Sequence, residues 1–220
     1  MTRSLRYALW VLALVPMTVC AARSAKSELS AVLRATPNPE HGAELFAQCT
    51  SCHGVDGNGD PNGSTPRIAG QHFSVLAKQL VDFRFGKRWD FRMEKMADKH
   101  HLAGPQDIAD VAAHVVMIPR EGSPGVGSGE FIAKGRDIYS ANCQSCHGAA
   151  GEGDAARGIP RLAGQHYGYL MRQMYDAADG RRPTLPQLHS ERIEPLDFEQ
   201  VRALSDFLSR LESAATIRPN

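Results

Sequence analysis

From Pro37 onward the apolar positions of this 220-residue chain recur at helical spacing. Phe73, Leu76, Leu80 and Phe83 lie three or four residues apart. So do Ile108, Val111, Ala112 and Val115, and again Val201, Leu204, Leu208 and Leu211. That period puts one apolar face on each of several amphipathic helices. Asn38 followed by Pro39 predicts a further helix start, running toward Cys49. No stretch alternates as a strand does. The pattern predicts an all-α chain of small helical bundles with glycine-rich loops. The apolar content of each bundle is thin, so a large buried group is expected to complete its core.

The N-terminus follows a different pattern. Tyr7 to Val19 is apolar throughout its centre, Arg3 and Arg6 precede it, and Ala21 and Ala22 follow. Basic head, short apolar run and small-residue end describe a secretory signal peptide over residues 1–21. The run falls short of the ~20 residues that span a bilayer. An uncleaved anchor is the alternative. Cys20 follows Val19, which is bulkier than a lipoprotein signal prefers, so lipid attachment is not expected. Residues 22–36 read as a loose leader.

An internal repeat organises the rest. Cys49-Thr50-Ser51-Cys52-His53 and Cys143-Gln144-Ser145-Cys146-His147 are 94 residues apart, and the offset persists. Gly54, Gly57, Gly59 and Asp60 match Gly148, Gly151, Gly153 and Asp154. Pro66-Arg67-Ile68-Ala69-Gly70-Gln71-His72 matches Pro160-Arg161-Leu162-Ala163-Gly164-Gln165-His166. Leu76, Gln79, Asp82, Gly86 and Arg88 match Leu170, Gln173, Asp176, Gly180 and Arg182. Two copies of one unit follow, over 37–118 and 130–213, each of viable domain size. The segment 119–129 between them is rich in Gly, Pro and Ser and reads as a flexible linker.

Charge narrows the possible partners. The formal net charge is +1, and removing Arg3 and Arg6 with the signal leaves −1. No basic face for nucleic acid is indicated, and no strong steering field.

The four cysteines after the signal could form disulfides in an exported protein, but their spacing favours another use. C-x-x-C-H is the attachment signal of haem c: two thiols form thioethers to the ring and the histidine reaches the iron. A zinc site and a redox dithiol are the alternatives for a single copy. Two copies, each followed by glycine in an exported chain, favour haem c, with His53 and His147 as proximal ligands.

On these motifs the chain resembles the class I cytochromes c, in particular the two-domain cytochrome c4 type. The resemblance covers about Pro39 to Leu211 in both halves. It implies two tandem cytochrome c domains, each a small helical bundle around a covalent haem. It implies that Pro66 and Pro160 accept a hydrogen bond from the proximal histidines and that Ile68 and Leu162 pack on the haems. Arg67 and Arg161 would meet haem propionates; without the resemblance they read equally as surface charges. It also implies close packing of the two haem edges.

The family's sixth ligand is usually a methionine between the middle and last helices. Met93 and Met96 stand there in the first unit. The resemblance favours Met93, although counting back from Ile108 favours Met96. His100 and His101 read as solvated loop residues. The second unit has no methionine between Gly180 and Leu211. His189 lies seven residues before Leu196, at the family's ligand spacing. It is read as the replacement ligand, which would make the second haem bis-histidine and the lower in potential. Met171 and Met174, three apart on the middle helix, read as core. His72 and His166 read as local caps, and His41 and His114 carry no constellation.

The implied work is electron carriage in the periplasm, without catalysis. The donor would be a membrane quinol–cytochrome oxidoreductase or a dehydrogenase and the acceptor a terminal oxidase or reductase, with peripheral association with the inner membrane compatible. The alternatives are a haem enzyme, either a di-haem peroxidase or a sulfur-compound dehydrogenase, and a dedicated subunit of a larger complex. An enzyme would need an open or labile iron.

Overall fold

The structure, a computed structural model, describes residues 24–211. The signal-peptide reading lies outside them. Eleven α-helices are present among the described residues, with no strand and one isolated bridge, Asp154 to Ile159.

The first unit contains α2 (Pro39–Phe46), α3 (Thr50–His53), α4 (Phe73–Arg84), α5 (Phe91–Met96) and α6 (Pro105–Met117). Asn38 caps α2 as expected: its side chain accepts from the Glu40 and His41 amides, and Pro39 opens the helix. In the second unit α7 (Ile132–Asn142), α8 (Gln144–His147), α9 (Tyr167–Ala178), α10 (Gln187–Ile193) and α11 (Phe198–Arg210) repeat the order. The apolar faces read from the sequence form two cores. Leu76, Val81, Ile108, Val111 and Val115 fill one, and Leu170, Met174, Val201, Leu204 and Leu208 fill the other.

The first and last helices of each unit cross at a glycine. A Cβ added to Gly42 on α2 would lie 2.1 Å from the Asp110 carbonyl oxygen on α6. A Cβ on Gly135 of α7 would lie 2.1 Å from that of Ala203 on α11. Only glycine permits this approach, which fixes the helix pair that closes each bundle.

Two expectations are corrected. The described part of the stretch read as a loose leader, 24–36, is ordered instead: Ala25–Arg34 forms helix α1, capped by a reciprocal Ser24–Ser27 box, with Val32 in the first core. The connection 119–129 is not left flexible. Arg120 donates to the Ala69 and Ala163 carbonyls, one in each unit. Gly125 N–H donates to His166 Nδ1, and the Gly127 and Gly129 amides donate to Asp206. Its glycines allow backbone to approach closely, and the amides so exposed are then tied down.

Candidate haem-binding sites

The repeated Pro-Arg-x-Ala-Gly-Gln-His segments do not act locally. They join the two units through a reciprocal set of hydrogen bonds. Arg67 N–H donates to Gln165 Oε1 at 2.9 Å, and Gln165 Nε2 donates back to the Arg67 carbonyl at 2.7 Å. Arg161 N–H donates to Gln71 Oε1, and Gln71 Nε2 donates to the Arg161 carbonyl, both at 3.0 Å. His72 Nε2 donates to the Glu152 carbonyl, and His166 Nε2 to that of Asn58. His166 Nδ1 accepts from Gly125 N–H, which fixes the neutral tautomer. Burial pushes its pKa down in the same sense. His72 and His166 are therefore interface residues, not local caps.

Each C-x-x-C-H turn sits where the first helix of its unit ends. Cys49 closes a short 3-10 turn before α3, and Cys143 precedes α8. The four described cysteines form no disulfide. His53 Nδ1 donates to the Pro66 carbonyl at 3.1 Å, and His147 Nδ1 to that of Pro160 at 3.0 Å. Both prolines thus stand where the sequence put them. Holding the proton on Nδ1 leaves each Nε2 lone pair free, the arrangement a metal-bound imidazole needs. Burial lowers the pKa of both histidines, which favours the neutral form. No three His, Cys, Asp or Glu side chains converge as a metal cluster among the described residues.

Opposite His53 lies a cavity of about 310 Å³. Cys49, Cys52, His53, Pro66 and Ile68 line one side, and Met93 and Met96 on α5 another. Asp90 caps α5 through the Arg92 and Met93 amides, which orients that helix. The far wall belongs to the second unit and includes Pro160, Leu162, Tyr169 and Arg182. A wall shared in this way brings the two sites together.

In the second unit the ring of His189 on α10 faces that of His147, with centroids 6.2 Å apart and planes inclined at 63°. Burial, reinforced by His147 and Arg182, pushes the His189 pKa down to about 4. Its Nδ1 is buried and makes no hydrogen bond among the described residues. A metal–imidazole bond of about 2.0 Å, plus about 1.1 Å from nitrogen to ring centre, puts two axial imidazole centroids about 6.2 Å apart. The ring spacing is compatible with both imidazoles serving one haem iron, and the two C-x-x-C-H turns suit covalent haem.

Two arginines that the sequence gave no role stand beside the first cavity. Arg88 and Arg182 occupy matching positions in the repeat, and both line that cavity. Arg88 donates to Gln79 Oε1, Gln173 Oε1 and the Tyr169 hydroxyl. Arg182 donates to Gln79 Oε1, and burial with Arg88 alongside lowers its pKa to about 10. Neither forms an ion pair with a carboxylate among the described residues. The repeat marked these positions, but nothing in it showed that they meet across the units. Arg67, by contrast, donates its terminal nitrogens to the Gly164, Glu121 and Gly122 carbonyls.

Two helical bundles, each with a C-x-x-C-H turn whose histidine is held by a proline carbonyl, define a protein with two haem-attachment sites. The cytochrome c family profile matches residues 39–118 and 132–212. A cytochrome c4 from Pseudomonas aeruginosa is 32% identical over 162 residues, covering 70% of this chain and 78% of that protein. A "thiosulfate dehydrogenase electron acceptor" from Thiomonas intermedia is 40% identical over 174 residues, covering 74% and 78%. The crystal structure of reduced cytochrome c4 from Pseudomonas stutzeri superposes with a TM-score of 0.72 at 29% identity, over 80% of this chain and all of that one. The thiosulfate dehydrogenase of Marichromatium purpuratum gives 0.71 at 31% identity, over 82% of this chain and 42% of that one. The chain belongs to the cytochrome c family, as a two-domain member of the cytochrome c4 type. Two such domains imply two haem c groups and a di-haem electron carrier.

Proposed function

We propose that this protein relays electrons in the bacterial periplasm between a respiratory donor and a terminal oxidase or reductase, with two unlike haems. Cys49, Cys52 and His53 would attach the first, with Met93 as its sixth ligand. Cys143, Cys146 and His147 would attach the second, with His189 as its sixth ligand. When bound, each haem iron supplies a one-electron Fe(III)/Fe(II) couple. The residues tune that couple. A thioether at Met93 favours the reduced iron, whereas imidazole at His189 favours the oxidised one. Electrons would therefore settle on the first haem. Arg88 and Arg182 would hold haem carboxylates, because buried guanidinium groups facing a cavity call for anions.

The observation that carries this reading is the 6.2 Å spacing of His147 and His189. An iron held by both has no open position for a substrate, which favours a relay over a haem enzyme. Carbon monoxide binding to the reduced holo-protein tests it. A six-coordinate relay takes up little, whereas stoichiometric uptake would return the second haem to catalysis.

A second reading has its own support. The likeness to a thiosulfate dehydrogenase electron acceptor at 40% identity favours a dedicated acceptor subunit for a sulfur-compound dehydrogenase. A stable partner co-purifying from periplasm would select it over a free carrier.

The export signal read over residues 1–21 supports the periplasmic location. No helix among the described residues is long and apolar enough to cross a membrane.

A further inference from the structure

We propose that Glu28 and Arg84 are positioning residues for the sixth-ligand wall of the first haem site, so that helix α1 takes part in holding it. Arg84 ends α4, and its guanidinium reaches three ways. Nε donates to the Ala97 carbonyl at 2.7 Å, Nη2 donates to the Leu102 carbonyl, and Nη1 pairs with the Glu28 carboxylate. The Arg84 and Glu28 side chains are only 4% and 2% exposed.

Ala97 is the C-cap of α5, the helix that carries Met93 and Met96. Leu102 is buried in the first core, just before α6. One guanidinium therefore grips both ends of the turn 97–102 that anchors the methionine helix. Glu28 supplies the countercharge, since a buried arginine without a partner is strongly unfavourable. The carboxylate is itself fixed by α1, through Val32 in the core and the Ser24–Ser27 cap.

The second unit provides a contrast. At the repeat offset Ala178 stands where Arg84 stands in the first unit. The segment before α7 is the pinned connection, with no counterpart of α1 among the described residues. The device thus accompanies the methionine-bearing wall alone. A neutral thioether binds iron weakly, so its residence depends on how firmly its wall is held. The inference rests on the reading that Met93 ligates the first iron.

The test uses the oxidised di-haem holo-protein mixed with free imidazole. The rate at which the methionine–iron charge-transfer band disappears is followed by stopped flow, in wild type, Glu28→Gln and the double variant Glu28→Leu with Arg84→Met. The double variant removes the buried charges and also both carbonyl donors, so its thermal midpoint is expected to recover relative to Glu28→Gln. Its exchange rate is expected to stay raised about tenfold over wild type, as for Glu28→Gln, because the wall opens more often. Should Glu28→Gln not fold, the double variant decides alone. Exchange at the wild-type rate in the folded variants overturns the inference, as does a double variant whose rate recovers together with its midpoint. A wild type that lacks the band overturns the Met93 reading and the inference with it.

Discussion

Replacing His189 separates its ligand role from a packing role. The two ring centroids stand 6.2 Å apart, the separation that two iron–imidazole bonds would set. His189→Ala removes the imidazole whose ring lies 6.2 Å from that of His147 and, if it is the sixth ligand, would leave one iron of the two open. Carbon monoxide uptake by the reduced protein should then rise from near none to about one per chain. His189→Met keeps a ligand but exchanges imidazole for a thioether. Axial-ligand identity spans about 0.8 V across haem proteins, so a rise on the order of 100–200 mV in the lower wave is expected. At about 59 mV per decade for one electron, that is roughly two to three decades in the Fe(III)/Fe(II) equilibrium. Potentiometric titration followed by haem absorbance reads both waves, and the upper wave should barely move. If His189→Ala binds no more carbon monoxide than wild type and His189→Met leaves both waves in place, His189 does not ligate iron.

The remaining predictions concern what holds the two sites in place. Gln165→Ala removes both bonds to Arg67 and should weaken the coupling of the two units by about 1–3 kcal/mol; calorimetry should split one transition into two, with Gln71→Ala behaving alike. Gly135→Val drives a side chain into the Ala203 carbonyl and should destabilise the second unit by about 3 kcal/mol in urea denaturation, leaving the first unit's transition unmoved. The hydrogen bond that His41 Nδ1 donates to the buried Asp110 carboxylate raises the His41 pKa above 6.5. The folded state therefore binds the proton more tightly, so this contribution is full below pH 6.5 and is lost as pH rises through the raised value. Urea midpoints of the first unit should fall across that window in wild type and stay flat in His41→Asn.

Most of the two-bundle fold was legible because haem attachment and helix periodicity both leave short-range marks. C-x-x-C-H fixes two thiols and a histidine on one turn, and the apolar spacing of α4, α6 and α11 matches the cores they fill. The prolines that accept from His53 and His147 were reachable through the resemblance to the class I cytochromes c, which the repeat carries onto both copies. Helix α1 was not. Its apolar stripe is thin, with Leu29 and Val32 but few others, and the residue that ties it deepest is an acid, Glu28. Such a pattern reads as solvated unless the buried arginine that receives it, 56 residues later, is already in view. The pinning of 119–129 was hidden for a related reason. Gly and Ser remove side-chain packing as a signal, whereas apart from the Arg120 guanidinium the bonds that fix this segment involve its backbone amides and carbonyls.

The repeat itself carried more than was first taken from it. A motif present twice suggests that two units meet the same local demand, and on that logic His72 and His166 read as local caps. A second cause produces the same pattern. When two copies pack about an approximate twofold axis, each presents the same residues to the other. The demand is then mutual. The reciprocal bonds of Gln71 and Gln165, the crossed histidine bonds to Glu152 and Asn58, and the meeting of Arg88 with Gln173 and Tyr169 all have this form. Positions that differ between the copies then mark where the units have separate tasks. Arg84 against Ala178 is such a position, beside the helix that carries Met93 and Met96 and away from the shared interface, and the second unit has no methionine between Gly180 and Leu211, where His189 stands. The interface could not diverge without breaking its own partner, whereas a change on a ligand side carries no such mutual constraint.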